Sequence, residues 1–275
     1  MSKYGLKDKD NKVVVPAKYD AINWKENVNL YVVQLNYKSG LIDATGKEIL
    51  AINYKFIGDF SEGLAVLRTS NYKDGFIDQT GKIVIPMNFV DASNFNGGLA
   101  RVAVEVPQGY STVKRYGFID KTGSFVIPAK FEFVGLFSEG LASVYGDSKW
   151  GYIDKTGNLV IPYTAYQKAQ DFYQGLAVVM NNDKYGFINT QGKLVIPMKY
   201  DYANSFRKGL AAVNIGASPA FSGLPQGGKY GFIDTTEKTV LNFNYDKANG
   251  FFKGKAAVEV NGRKFYIDKN GQEVK

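Results

Sequence analysis

The chain has no cysteine and no histidine among its 275 residues. Without cysteine there are no disulfides, no thiolate nucleophiles and no cysteine-type zinc sites. Without histidine there is no Ser-His-Asp triad, no imidazole proton shuttle and no imidazole metal ligand. Tryptophan and proline are scarce, at 2 and 8 residues. No apolar run approaches the roughly 18 residues of a membrane span. The start, Met-Ser-Lys-Tyr-Gly, lacks the apolar core of a secretory signal. A cytoplasmic protein, or the mature form of an exported or cell-envelope one, is expected.

What is abundant is glycine (30), tyrosine (19) and phenylalanine (19), within a 45% hydrophobic composition that can build a sizeable core. The formal net charge is +8. Such a balance can mark a nucleic-acid surface. Here only Arg68, Arg101, Arg115, Arg207 and Arg263 are arginines, and the lysines recur singly at turn positions. With no block of like charge, solvated turn lysines are the reading, and nucleic acid is not the expected partner.

One phrase recurs: an aromatic, Gly, an apolar residue, Ile and Asp, then a turn, an apolar triplet and Pro. It occupies 40–43, 75–78, 117–120, 151–154, 186–189 and 231–234, with weaker copies at 4–8 and 265–268. Its glycine position advances by 35, 35, 42, 34, 35, 45 and 34 residues from Gly5. A second half follows each copy. It holds an aromatic step such as Tyr19-Asp20 or Tyr200-Asp201, a lone aromatic (Phe60, Phe95, Phe137, Phe172, Phe206, Phe251), and Gly-Leu-Ala-x-Val.

These pieces are short, aromatic and β-branched, bounded by Gly, Asn and Asp, and no helical period runs through them. Asp120-Lys121-Thr122-Gly123 predicts a hairpin turn, with the carboxylate accepting backbone N–H groups and Gly at positive φ. Pro16, Pro86, Pro128, Pro162 and Pro197 are expected to end the third strand of each unit, since proline lacks a ladder donor. Each period then reads as a three-stranded antiparallel meander, with a connector able to hold a shorter fourth strand. Such a unit cannot bury its own apolar face, but stacked neighbours can. The lone phenylalanine is the expected wedge between units. The fold expected is all-β, with tandem antiparallel β-meander repeats stacked as an open solenoid, straight or curved. A seven- or eight-bladed propeller is the alternative. The expected organisation is one repeat domain over 1–275, with degenerate capping ends at 1–36 and 255–275.

The copy Trp150-Gly151-Tyr152-Ile153-Asp154-Lys155-Thr156-Gly157, followed by Leu159-Val160-Ile161-Pro162, resembles the bacterial WG (KWG) repeat. The resemblance covers essentially the whole chain in seven to eight copies. It implies a bacterial β-repeat protein and supplies no catalytic residues.

Chemistry is sparse. Asp8 with Asp10, and Asp59 with Glu62, are carboxylate pairs on repeat turns, where solvated structural roles outweigh acid–base work. Each Asp-x-x-Gly turn offers one carboxylate where calcium needs six to eight oxygens, so no metal is expected. Gln226-Gly227-Gly228-Lys229 has no following helix to cradle a phosphate, and no cofactor is expected. The departures from the repeat are two insertions, Ala103–Arg115 and Gly216–Gly228, both expected as loops. Longer loops are where repeat proteins place recognition. Phe221 and Leu224, with Tyr110 in the first insertion, are the candidate binding residues. The expected function is a non-catalytic binding or scaffold protein for a protein or peptide partner. A carbohydrate or cell-envelope binder using exposed aromatics is the alternative.

Overall fold

A computed structural model describes residues 2–164, 166–218 and 226–275. Apart from a 3-10 turn at Glu26–Val28, every regular element among the described residues is a β-strand. The chain forms two compact units, Met1–Glu132 and Phe133–Lys275. In the first, a two-stranded hairpin (Tyr4–Lys7 with Val13–Tyr19) precedes three four-stranded antiparallel sheets. The second holds four such sheets. The expectation of an all-β chain of tandem antiparallel meanders is met.

Each sheet is a meander in chain order. In one, Phe56–Ile57, Leu64–Arg68, Asp74–Asp78 and Ile83–Phe89 pair in succession. The three expected strands thus gain a fourth from the connector, only two residues long here. The two middle strands are buried along nearly their whole length, as in Leu64–Arg68 and Asp74–Asp78. Strands covered on both faces read as continuous apolar runs rather than alternating ones. The last strand of the sheet is an edge strand, and its Ile83 and Val84 face solvent.

Burial on both faces comes from stacking. In the first unit, Leu30, Val32, Leu41 and Leu50 of one sheet pack with Ile57, Phe60, Ala65, Leu67 and Ile77 of the next repeat. In the second, Val178, Phe187 and Ile196 pack with Phe206, Ala211, Val213 and Ile233. Polar links follow the same period. Ser61 Oγ donates to the Phe95 carbonyl at 2.7 Å, and Ser138 Oγ to the Phe172 carbonyl at 2.5 Å. Glu139 accepts the backbone N–H groups of Gln174 and Gly175 at 2.5 and 2.8 Å, and Gln174 Oε1 accepts that of Gly209 at 2.8 Å.

The prolines do not end their strands. The strands run Ile83–Phe89, Phe125–Phe131 and Leu194–Tyr200, with Pro86, Pro128 and Pro197 inside them. The reason is a bulge. Ile85 pairs with Phe76 and Phe89 with Asp74, so Pro86, Met87 and Asn88 face the single residue Gly75. Proline is tolerated at a bulge because no ladder donor is needed there. The same backbone crowding explains the glycine: a Cβ on Gly75 would collide with the Ile85 carbonyl oxygen and the Pro86 backbone. The motif's glycine and proline are two sides of one contact.

The hairpin turns after the Ile-Asp phrase form as expected. Asp120 Oδ1 accepts the backbone N–H groups of Thr122 and Ser124 at 2.8 and 3.1 Å and the Thr122 hydroxyl at 2.6 Å, while Gly123 sits at φ 86°. The Tyr-Asp step has a matching task at the other end of the sheets. Asp20 accepts the N–H of Asn36 at 2.7 Å and pairs with Lys3 at 2.6 Å, and Asp246 accepts that of Asn261 at 2.6 Å and pairs with Lys229 at 2.5 Å. Each aspartate thus fixes the turn between the second and third strands of its own sheet.

Candidate functional site

The turns between second and third strands all leave their sheets at the same end, because every sheet is the same meander. In three of the four sheets of the second unit these turns are described and carry ordinary turn residues: Asp147 and Ser148 (φ 51° and 60°), Asn182 and Asp183 (φ 49° and 58°), and Asn261 and Gly262 (φ 51° and 81°). Paired left-handed residues of this kind suit a tight hairpin, and Asn, Asp and Gly tolerate the conformation.

In the first unit the same position carries tyrosine in three successive sheets. Tyr37 follows Asn36 in a turn with φ 62° and 50°. Tyr72 ends a Thr69–Tyr72 turn at φ 60°, where its N–H donates to the Thr69 carbonyl at 3.0 Å. Tyr110 follows Gly109 (φ 61°) at the tip of the third hairpin. Their relative exposures are 87%, 61% and 113%, so all three rings stand in water. Positive φ is unfavourable for a bulky aromatic residue, since the left-handed region brings Cβ against the following carbonyl. Tyr37 and Tyr72 therefore occupy places where glycine would be easier.

The turns beneath the rings are fixed by hydrogen bonds. Asp20 holds the Asn36 N–H. The Thr69 hydroxyl accepts the Lys73 N–H at 3.1 Å and donates to its carbonyl at 3.0 Å. At the third tip, the Ser111 hydroxyl donates to the Gln108 carbonyl at 3.2 Å, and Arg115 donates to Gln108 Oε1 at 3.3 Å. Lys73 reaches Glu105 of the next sheet at 3.1 Å, joining the second tip to the stem of the third hairpin. Lys3 and the Asn36 N–H hold the Asp20 carboxyl below the usual carboxylate range.

The first expected loop is mostly strand. Residues 103–115 belong to a hairpin whose ladder runs unbroken from Ala100↔Ile119 to Gln108↔Ser111. Its Val102, Val104, Val106, Thr112 and Val113 are β-branched, which favours extended pairing over a loop. Of the second insertion, Gly216, Ala217 and Ser218 and residues 226–228 also lie on strands, with Ala217 paired to Gly227 and Ser218 to Gln226. Phe221 and Leu224 lie outside the described residues. Of the three predicted site residues the structure therefore places Tyr110, on the most exposed tip. Tyr37 and Tyr72 were missed. In the sequence each stands just before a lysine, where other copies have Ser148 or Asp183, and nothing but the ring itself sets it apart.

Of the two tryptophans considered as platforms, Trp24 is partly exposed and packs on Tyr31 with ring centroids 4.7 Å apart. Trp150 is partly buried against Tyr145 and Phe133, with ring centroids 5.1 and 5.6 Å away. Three of the four carboxylates considered for catalysis are engaged in structure. Asp8 accepts the N–H groups of Asp10 and Lys12 at 2.9 Å each. Asp59 pairs with Lys25, while Glu62 accepts the Gly98 N–H at 3.1 Å and pairs with Lys121 at 3.2 Å. The Gly227-Gly228-Lys229 stretch is strand, and Lys229 is bound to Asp246.

The family model of the WG containing repeat matches residues 4–38, 40–72, 75–105, 116–150, 150–185, 185–217 and 230–263, seven tandem copies along the chain. The chain belongs to the WG-repeat family. No curated protein matches it. Among solved structures, it is similar to a eukaryotic initiation factor, at 12% identity and a TM-score of 0.45 over 100% of this chain and 94% of that one. It is similar to BamB from Moraxella catarrhalis at 10% identity and a TM-score of 0.47, over 91% and 82% of the two chains. It is similar to Kluyveromyces lactis Hsv2 at 11% identity and a TM-score of 0.38, over 90% and 72%. The first two family copies end at Lys38, one residue past Tyr37, and at Tyr72 itself, so the tyrosine tips mark their boundaries. No helix among the described residues is long and apolar enough to cross a membrane.

Proposed function

We propose that this WG-repeat chain is a non-catalytic recognition protein whose first unit binds a protein partner through its tyrosine-tipped turns. The observation that carries this reading is Tyr37, Tyr72 and Tyr110 standing in solvent at the same turn of three successive repeats, two of them at positive φ. A ring held in a disfavoured conformation with no packing role is better explained by contact than by stability. The neighbouring residues are Asn36, Ser70, Asn71, Gly109 and Ser111. Tyrosine presented among Ser, Asn and Gly is the composition of antibody paratopes, where the ring supplies area at small entropic cost and the small polar residues adapt their hydrogen bonds. The hydrogen-bonded turns reduce the ordering that binding would otherwise require. The non-catalytic part of the reading rests on the absence of Cys and His and on the engagement of Asp8, Asp59 and Glu62 in turns and ion pairs.

The test places a photo-crosslinking phenylalanine analogue at Tyr37, Tyr72 or Tyr110 in the full chain, expressed in its native cells. Ser148 and Asp183 serve as control positions. The expected result is one protein adduct common to the three tyrosine positions and absent from the controls. Equal adducts at the controls, or none at the tyrosines, would overturn the proposal. An adduct that resists protease but yields to glycosidases would replace it with the carbohydrate reading.

A further inference from the structure

Within the second unit, the polar links between repeats change character at one place. The residue after the wedge phenylalanine is Ser138 in one repeat, and its hydroxyl serves the Phe172 carbonyl. In the next three repeats that residue is Tyr173, Arg207 and Phe252, and none of them can make the same short link. The next residue along is Glu139 and then Gln174, each accepting a backbone N–H of the following repeat. It then becomes Lys208, which has no acceptor for Gly254. The edge turns from acceptors to cations.

At that point the surface opens into a cleft of about 420 Å³, lined by Gln170, Asn204, Ser205, Arg207, Gly250 and Phe252, with Phe251 at its base. The volume lies within the roughly 300–1,000 Å³ of small-ligand sites. The Arg207 guanidinium lies over the Tyr173 ring, 3.5 Å from its centroid, and has no carboxylate partner among the described residues. Stacking fixes the plane of the cation and leaves its N–H edges for a ligand. Among the described residues no Asp or Glu lines the cleft, and the Asp171 carboxylate accepts from Ser143 Oγ at 3.4 Å. The Ser205 hydroxyl donates to Gln170 Oε1 at 3.1 Å, which aligns the two side chains and leaves the Gln170 amide N–H groups without a partner among the described residues. Phe252 is 72% exposed.

We infer that this cleft binds an acidic saccharide, with Arg207 clamping a uronate carboxylate, Gln170, Asn204 and Ser205 taking ring hydroxyls, and Phe252 supporting an apolar sugar face. A planar guanidinium matches a carboxylate through two parallel hydrogen bonds. Amide and hydroxyl groups can each donate and accept, as a hydroxylated ring demands. A solvent-exposed phenyl ring gains from covering by C–H groups. This site lies wholly in the second unit and goes beyond the protein-recognition reading of the first.

The test is calorimetric titration of the full chain with tetragalacturonate. Its uncharged methyl ester, tetraglutamate and inorganic phosphate serve as comparison probes. Saturable binding of tetragalacturonate is expected, with the ester at least about tenfold weaker. Arg207→Gln should weaken binding by about tenfold or more and Phe252→Ala by severalfold, with Arg207→Lys intermediate because the point charge keeps attraction but loses the fork. Both side chains are exposed, and unchanged melting of each variant checks that the fold is intact. No saturable binding, full binding by folded Arg207→Gln, or equal affinity for tetraglutamate or phosphate would each overturn the inference. None of these outcomes bears on crosslinking at Tyr37, Tyr72 and Tyr110.

Discussion

The ring of Phe95 lies 4.9 Å from the ring of Phe76, one repeat earlier, with the planes tilted by 58°. Phe76 belongs to the Gly-Phe-Ile-Asp strand of its sheet, and Phe95 to the connector of the next. The pairing recurs in the second unit as Tyr152 with Phe172 and Phe187 with Phe206, both at 4.8 Å, and Phe232 with Phe251 at 5.2 Å. Tilted aromatic pairs at this spacing add roughly 0.5–1.5 kcal/mol to the burial of their area. The wedge and the strand aromatic are thus one interface between repeats, seen in these four pairs, while Phe60 meets Leu41 instead.

Phe206 is completely buried and packs with Val178, Phe187 and Ile196. Phe206→Ala removes the ring and leaves a cavity between two sheets, for an expected loss of about 3–5 kcal/mol. Urea unfolding of the variant measures it. A loss below about 1 kcal/mol with an intact fold would mean that the repeats do not depend on this wedge.

Gly117 faces Pro128, Ala129 and Lys130 across a bulge, since Phe118 pairs with Ile127 and Tyr116 with Phe131. A Cβ there would run into the Ile127 carbonyl and the Pro128 backbone, which cannot swing away as a side chain can. Gly117→Ala is expected to cost roughly 2–3 kcal/mol, the upper part of the ordinary range for one substitution. Gly98→Ala is a contrasting control: no atom stands near a Cβ there, so its cost comes from the positive φ of 85° alone. If the two variants melt alike, crowding at the bulge is not what the motif's glycine relieves.

Most of the architecture was legible because it is written several times over. A single Asp-Lys-Thr-Gly would be a weak turn signal. Repeated at a fixed period and followed each time by an apolar triplet, it defines a hairpin, and the structure has that hairpin with the predicted carboxylate bonds at Asp120. The strand course through Pro86 was not legible, because a bulge depends on the partner strand and leaves no local mark beyond the proline. The two-residue connector strands, such as Asp91–Ala92, are too short to show a period. The candidate site was partly legible. Tyr110 stood out by lying in an insertion, whereas Tyr37 and Tyr72 hide inside copies of normal length and become conspicuous only once their positive φ is seen. The first insertion was misread as a loop because extra length was given more weight than the β-branched residues Val102, Val104 and Val106.

Acid should weaken the fold through its turns. The carboxyls of Asp43, Asp78, Asp120, Asp154 and Asp234 are all held below the ordinary value, first by a hydrogen bond from the threonine two residues on and then by backbone N–H groups. A carboxyl that is more acidic in the folded chain binds fewer protons there than in the unfolded chain. Its contribution is complete above the unfolded value near 3.9 and is lost as pH falls through the lower folded values. With no histidine to titrate, urea midpoints should be level from about pH 6 to 8 and fall below about pH 4. Asn189 already fills this position in one repeat, with Oδ1 accepting from Gln191 and Lys193 at 3.1 and 2.9 Å. Replacing the five aspartates with Asn should therefore keep the turns and make the acid limb shallower, leaving the part that Asp20, Asp201 and Asp246 contribute. At the alkaline end, burial raises the Tyr152 hydroxyl and pushes that of Tyr230 up to about 12. The unfolded chain then loses its phenol protons first, and stability should fall above about pH 10.

Tyr72 offers the sharpest separation of stability from recognition. Its φ of 60° and its place at the end of the Thr69–Tyr72 turn are those of a hairpin position that favours glycine. A left-handed residue with a side chain costs roughly 1–2 kcal/mol in the folded chain. Glycine relieves that strain but loses more backbone entropy on folding, roughly 0.5–1 kcal/mol relative to alanine. The two effects nearly cancel, with the balance toward glycine because the exposed ring contributes little packing. Tyr72→Gly is thus expected to leave the urea midpoint unchanged or raise it by an amount worth up to about 1 kcal/mol. Tyr37→Gly should behave alike, since its φ of 62° places it in the same region. Binding moves the other way, because a tyrosine anchor supplies both an apolar face and a hydroxyl to the partner. The double variant, bearing its crosslinker at Tyr110, should be at least as stable as the parent and yet give much less adduct. A double variant that is clearly less stable would show the rings to be structural, and one that keeps full adduct yield would show that the first two tips do not touch the partner.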